Sequence, residues 1–327
     1  MKELIEKFSQ QLLESLSIGK KARLSFGTVK FSQVVVSGLG GSGIGGSIVQ
    51  EYVFDKLAVP LSVNKHYAIP KSVNKDTLFI ACSYSGNTEE TLQAVSEAKK
   101  AKATIVCITS GGALAVFATK NKIGLIEIPS EMPPRACLGY SLVQLLYVLR
   151  YSKLLKTNFE DEIHAGIKRI NKETKAMQKQ AKAIAENLVD KQVAIYSMAG
   201  REGLAIRFRQ QLNENSKILA WSNVIPEMTH NEIVGWRAEN KNIAVLYCYH
   251  PSDFAKNIER LNVLKKVIGQ YNSNSSDIVL KGESYFEQAI YFIHLTDWIS
   301  FYLSELNQHD PMEVKVIDVL KSKMAKK

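Results

Sequence analysis

Long apolar runs are missing from this chain of 327 residues. No stretch approaches the ~18 apolar residues that a membrane span needs, so no membrane association is expected. Cysteine is scarce: Cys82, Cys107, Cys137 and Cys248 show no paired spacing. A disulfide framework and a thiolate metal site are both excluded on that ground, and all four read as reduced thiols of a cytoplasmic protein. The six histidines are scattered, so no metal is expected either. The amino terminus mixes charge with its apolar residues (Met1-Lys2-Glu3-Leu4-Ile5-Glu6-Lys7) and is not expected to be a signal peptide. The net charge of +10 is mostly local, in Lys168 to Lys191 and in a basic tail from Lys315 to Lys327. These read as solvated helix faces, with no nucleic-acid partner, although the positive field suits an anionic metabolite.

What the chain does have is glycine in one place. Val34-Val35-Val36-Ser37-Gly38-Leu39-Gly40-Gly41-Ser42-Gly43-Ile44-Gly45-Gly46-Ser47 reads as a buried strand, a glycine turn and a helix start. Three β-branched residues in a row suit a strand covered on both faces. Glycine lets backbone approach a ligand closely, and a helix N-terminus offers free N–H groups to a phosphate. A second stretch has the same plan. Thr77 to Cys82 runs into Ser83-Tyr84-Ser85-Gly86-Asn87-Thr88 and then into a helical pattern. Two such loops at the carboxyl ends of parallel strands suit one anion, held by hydroxyls and backbone N–H groups. The spacing Gly38-x-Gly40-x-x-Gly43 also matches a dinucleotide fingerprint, but the second strand ends in Asn64-Lys65-His66, with no carboxylate for a ribose. A nicotinamide cofactor is therefore not expected.

Strands at Val34–Ser37, Leu61–Asn64, Thr77–Cys82, Thr104–Ile108 and Gly124–Ile128 alternate with helical segments such as Ile44–Phe54 and Thr88–Ala101. That alternation predicts an α/β fold with a parallel doubly wound sheet. A second unit begins near Gln192, where Val193 to Gly203 echoes the first glycine strand. Expected strands at Ile243–Tyr249 and Asp277–Leu280 and helices at Leu204–Glu214, Phe254–Ile268 and Tyr285–Leu306 complete it. The expected organisation is two αβα sandwiches, 1–155 and 191–327, joined by a helical connector at 156–190. The second copy lacks a Ser-x-Ser-Gly-x-Thr loop, so phosphate binding is expected in the first only. Two further segments concentrate reactive side chains. Glu214 lies near a helix end among amides, and His230 lies in the polar loop Pro226 to Trp236.

Six pieces, taken in order, resemble the bifunctional phosphoglucose/phosphomannose isomerases, a branch of the sugar isomerase (SIS) superfamily. They are Gly38 to Gly46, Ser83 to Thr91, Pro133 to Tyr140, Asn213 to Lys217, His230 to Ile233, and the tail from Asp310-Pro311 through Leu320-Lys321. The resemblance implies that Gly41, Ser42, Ser83, Ser85 and Thr88 hold the phosphate of a hexose 6-phosphate. It implies that Arg135 sits over the reacting carbons, that Glu214 is the base and that His230 opens the ring. Lys321 would approach from the carboxyl-terminal helix. No metal and no organic cofactor are implied. A homodimer is, with His230 reaching the neighbouring subunit's site. Met312 stands where many relatives carry a hydroxyl-bearing residue, a departure that bears on the mannose reaction. A sugar-phosphate-sensing module without catalysis, and an aminosugar-phosphate isomerase, remain as alternatives.

Overall fold

The computed structural model describes residues 1–238 and 240–324; the last three residues of the basic tail lie outside the described residues. The chain divides into two compact units. One comprises residues 6–171 with 282–290, the other residues 1–5, 172–281 and 291–327. The strands are β1 (Gln33–Ser37), β2 (Leu61–Asn64), β3 (Thr77–Cys82), β4 (Thr104–Thr109), β5 (Gly124–Glu127), β6 (Gln192–Met198), β7 (Ala220–Ile225), β8 (Ile243–Tyr249) and β9 (Ser275–Val279). The helices are α1 (Lys2–Glu6), α2 (Phe8–Lys21), α3 (Gly40–Tyr52), α4 (Glu89–Lys100), α5 (Gly112–Lys120), α6 (Leu138–Tyr151), α7 (Phe159–Asn187), α8 (Glu202–Ser216), α9 (Ala255–Gly269), α10 (Tyr285–Leu306) and α11 (Lys315–Met324).

In the first unit the five strands are all parallel, in the order β2-β1-β3-β4-β5. The register aligns Val34 with Leu78 and Val36 with Ile80. Successive residues of β1 serve opposite faces, as the pleat requires. Val35 joins Phe79, Ala81 and Cys107 under α4 and α5, while the Val36 side chain meets Gly46 of α3. The apolar runs read from the sequence are therefore apolar because both faces are covered. Helix α6 packs on both α2 and α3 and buries twelve of its fourteen residues.

The second unit carries a four-stranded parallel sheet, β7-β6-β8-β9. One face is a cluster of Ala194, Tyr196, Met198, Val245, Tyr247 and Trp236 closed by Leu261, Leu264 and Ile268 of α9. Elsewhere in this unit α8 meets α10: Phe208 stands edge-on to Phe292, and a charge pair is buried beside it. Arg207 grips Asp297 through two hydrogen bonds of 2.5 and 3.1 Å, and Gln211 adds a third at 2.9 Å. Both charged side chains are at least 90% buried.

All four cysteines are buried and free. Burial pushes the Cys107 thiol up to about 12 and Cys137 to about 11, so both stay protonated and unreactive. Among the described residues no helix is long and apolar enough to cross a membrane.

Removing one member of a buried ion pair strands the other charge in a poorly solvating interior. Asp297→Ala is therefore expected to lower the unfolding free energy by about 3–5 kcal/mol, read from the urea midpoint at constant slope.

Candidate active site

The order β2-β1-β3-β4-β5 reverses between β1 and β3, and ligands of open α/β sheets bind at the carboxyl ends of strands at such a point. Both loops singled out in the sequence emerge there. Helix α3 begins at Gly40, four residues before the expected Ile44, so most of the glycine run is the first two turns of the helix rather than a turn before it. Small residues are required because backbone lies against backbone. A Cβ on Gly41 would stand 2.8 Å from the carbonyl oxygen of Pro134. The amino end of α3 thereby holds the short helical turn Pro134–Ala136, and with it Arg135, against the glycine segment.

Three further contacts fix the Arg135 segment. The Tyr84 hydroxyl accepts from the Met132 N–H at 3.1 Å. Gln11 of α2 donates to the Ala136 carbonyl at 2.7 Å and accepts from the Gly139 N–H at 2.9 Å. Arg135 itself is 7% exposed. A guanidinium held there keeps its proton and gives a fixed positive charge.

The second loop is braced in turn. Ser42 accepts from the Tyr84 N–H at 3.1 Å, which ties the two loops together. Ser83 and Thr88 share a hydrogen bond of 2.8 Å across the loop. Gly86 has φ +69°, and a Cβ on it would stand 1.8 Å from the Gly111 carbonyl oxygen, so only glycine fits. The Gly86 carbonyl accepts from Leu114, and Asn87 accepts from Ala113, both at the start of α5. Thr88 precedes the first turn of α4, where N–H groups are free to meet an anion. Gly41, Ser42, Ser83, Thr88 and the backbone of Arg135 are thus brought to one place, with Ser85 exposed at its rim.

Glu214 lies in the last turn of α8, half-buried. It lines a cleft of about 350 Å³ with Lys217, Ile218, Glu313, Val314, Val316 and Ile317. Lys217 takes φ +59° just past the helix end, and its ammonium donates to the carbonyls of Glu214 and Glu313. The head of the carboxyl-terminal tail is brought to Glu214 by this bridge. Lys321 lies further along α11, exposed, and is not among the described residues lining the cleft. Met312 is also exposed, its N–H held by Asp310 at 2.8 Å.

His230 ends a short helical turn, Glu227–His230, that follows β7, and it is exposed. Two residues on, Glu232 accepts hydrogen bonds from Tyr196 (2.6 Å), Trp221 (2.7 Å) and Asn223 (2.6 Å). Burial, and then that contact with Glu232, raises the Tyr196 phenol far above its usual value, so it remains a donor.

The equivalent reversal in the second sheet lies between β6 and β8. There Arg201, at the start of α8, donates to Asp253 at 2.9 Å, and Asp253 also accepts from the His250 N–H. Side chains of the protein itself occupy that crevice. Among the described residues no group of three or more His, Cys, Asp or Glu is placed to hold a metal ion.

Sequence reasoning missed Tyr84, Gln11, Lys217 and Glu232. Tyr84 and Glu232 stand inside motifs that were noticed for their neighbours. Gln11 carries no local signal, because its partners lie 125 and 128 residues away.

Comparison with known proteins fits this geometry. Residues 30–131 match the model of the SIS domain, and residues 177–324 match that of the bacterial phospho-glucose isomerase C-terminal SIS domain. The fold is that of the tagatose-6-phosphate ketose/aldose isomerase of Escherichia coli, with a TM-score of 0.72 at 15% identity over 94% of this chain and 93% of that one. Two parallel sheets with a serine- and glycine-lined crevice in the first define a double-SIS protein. Along its length the chain is 37% identical to the bifunctional phosphoglucose/phosphomannose isomerase of Caldicellulosiruptor bescii, over 99% of both chains. It is 33% identical to that of Aquifex aeolicus, over 90% of this chain and 91% of the other. The chain belongs to the bifunctional phosphoglucose/phosphomannose isomerase family.

A side chain at Gly86 meets both strain and a backbone clash, the strain alone costing about 1–3 kcal/mol. Gly86→Ala is expected to melt earlier; inorganic phosphate is expected to stabilise the wild type and not the variant, as read by differential scanning calorimetry.

Proposed function

We propose that this chain interconverts glucose 6-phosphate and fructose 6-phosphate, and also forms mannose 6-phosphate, by metal-independent proton transfer through a cis-enediolate. The observation that carries the reading is the cradle at the β1–β3 reversal. Two hydroxyl-bearing loops and two helix starts meet there, with a buried arginine against them. Relatives of that activity over the whole length support it.

Gly41, Ser42, Ser83, Ser85 and Thr88 bind the substrate phosphate, far from the reacting carbons. Binding energy gained at the phosphate is used to orient C1 and C2. His230 protonates the ring oxygen, and Lys321 accepts the anomeric proton. Glu214 then takes a proton from one carbon and returns it to the next, which a single carboxylate can do when its pKa lies between the two duties. Arg135 stabilises the enediolate oxygens, and because it cannot deprotonate it does so without moving a proton. Rotation about C2–C3 before reprotonation presents the other face and yields mannose 6-phosphate. His230 serves the neighbouring subunit of a homodimer, which its exposure on a loop supports. The four buried free thiols suit a cytoplasmic enzyme.

The test is a discontinuous assay on fructose 6-phosphate with EDTA present, scoring glucose 6-phosphate and mannose 6-phosphate separately. Wild type is expected to make both products at a rate that the chelator does not change. Glu214→Gln is expected to lose about 10²–10⁴-fold in kcat with KM little altered, the usual worth of general acid–base catalysis. Failure of purified, folded wild type to make either product would instead point to a sensing module. Met312→Thr is expected to raise the mannose share of product, while glucose 6-phosphate formation stays within a few-fold.

A further inference from the structure

His230 sits in a segment with little regular structure of its own. Around it stand two short helical turns, Glu227–His230 and Glu232–Arg237, joined at Asn231, whose φ and ψ are −146° and −69°. Before His230 the anchor is Met228, fully buried in the cluster under α9. After it the anchor is Glu232. Asn231 shapes the join, accepting from the Glu232 N–H at 2.6 Å and donating to Glu227 at 2.9 Å.

The partners of Glu232 are all donors. Tyr196 and Asn223 are directly paired across β6 and β7, and Trp221 lies two residues before Asn223 on the same strand. Tyr196 cannot turn its proton elsewhere without loss, because its oxygen already accepts from the Trp236 indole at 2.8 Å. The site therefore presents two N–H groups and one O–H to the two carboxylate oxygens, with Oε1 taking two and Oε2 taking one. Glutamine has the same shape, but its amide nitrogen would face either the Tyr196 and Trp221 donors or the Asn223 amide, which could accept it only by turning over and giving up its hydrogen bond from the Val224 N–H. A carboxylate satisfies the set as it stands, with no partner having to turn. Such charge-assisted bonds are about twice as strong as neutral ones. They link the loop to two adjacent, paired strands.

We propose that Glu232 is the positioning residue of the ring-opening step: by clamping the His230 loop to β6 and β7 it fixes where the imidazole is presented. The inference rests on the role given above to His230. Glu232 itself touches no substrate. Its effect should therefore appear only where His230 is needed, and should vanish with a substrate that has no ring to open.

The experiment compares two substrates in wild type, Glu232→Gln, His230→Asn and the double variant. Fructose 6-phosphate must be opened before proton transfer. 5-Deoxyfructose 6-phosphate lacks the hydroxyl that closes the furanose, so deuterium uptake from solvent at its C1 reports Glu214 chemistry alone. Glu232→Gln and His230→Asn are each expected to lower kcat on fructose 6-phosphate by about 100-fold, the order set by general acid catalysis. Exchange into the open-chain analogue should stay near wild type, and the double variant should be no worse than either single one. If His230→Asn is selectively impaired but Glu232→Gln keeps full activity, the positioning role is overturned and the role of His230 stands. If His230→Asn shows no selective loss, both fall. Equal loss on the two substrates in Glu232→Gln would make the residue merely structural and would also overturn the proposal. Should Glu232→Gln fold poorly, Asn223→Ala, which removes one of the three donors, is read in the same way and is expected to give a smaller loss of the same selective kind.

Discussion

Backbone pressed against backbone at the carboxyl end of β1 is the constraint on which the rest depends. A Cβ on Gly38 would stand 2.8 Å from the Cys82 carbonyl, and one on Gly41 the same distance from that of Pro134. These contacts let three chain segments converge where side chains would hold them apart: the start of α3, the end of β3 and the turn bearing Arg135. Once they converge, hydrogen bonds lock them. Tyr84 is the hub, with its N–H on Ser42, its hydroxyl on the Met132 N–H, and its carbonyl accepting from Ser110. Hydroxyls and helix ends held this rigidly suit an anion, because weak dipoles bind well only when they need not be reorganised.

The two sheets share a strand order in their common part, and they have diverged in what fills the reversal point. In the first unit the crevice is lined by Ser42, Ser83 and Thr88 and by helix starts. In the second the Arg201–Asp253 pair spans it. An arginine and an aspartate there satisfy one another. In the second unit Glu214 lies at the end of α8 and His230 on the turn after β7, both away from that pair. Fold and chemistry are separable in this way because a parallel sheet fixes only where its loops emerge.

Much of this could be read without coordinates. Val34 to Ser37 and Thr77 to Cys82 were legible because strands covered on both faces are apolar almost throughout, with a polar residue only at one end. The hydroxyl loop at Ser83 was legible because no packing need explains so many small polar residues together. Two elements were not read. Helix α5 opens with Gly112 after Gly111, which reads as a stop. Strand β7 is only half-buried along Ala220 to Val224 and mixes tryptophan, serine and asparagine, so its period is weak. Its polar residues make sense only once Glu232 is seen to need their donors.

By itself the sequence determined the kinds of element, the two-fold repetition of the α/β plan and the chemical identity of the loops. Those depend on local preference and on burial pattern, both written in consecutive residues. Only the tertiary structure decided which residues hold those loops in place. Gln11 reaches Ala136 and Gly139, Lys217 reaches Glu313, and Tyr196 reaches Glu232, across 36 to 128 residues of chain. Hydrogen bonds between distant segments have no period and no favoured spacing. They exist because the packed sheet and helices bring the partners within 3 Å, and the sequence lists those partners without saying which will meet.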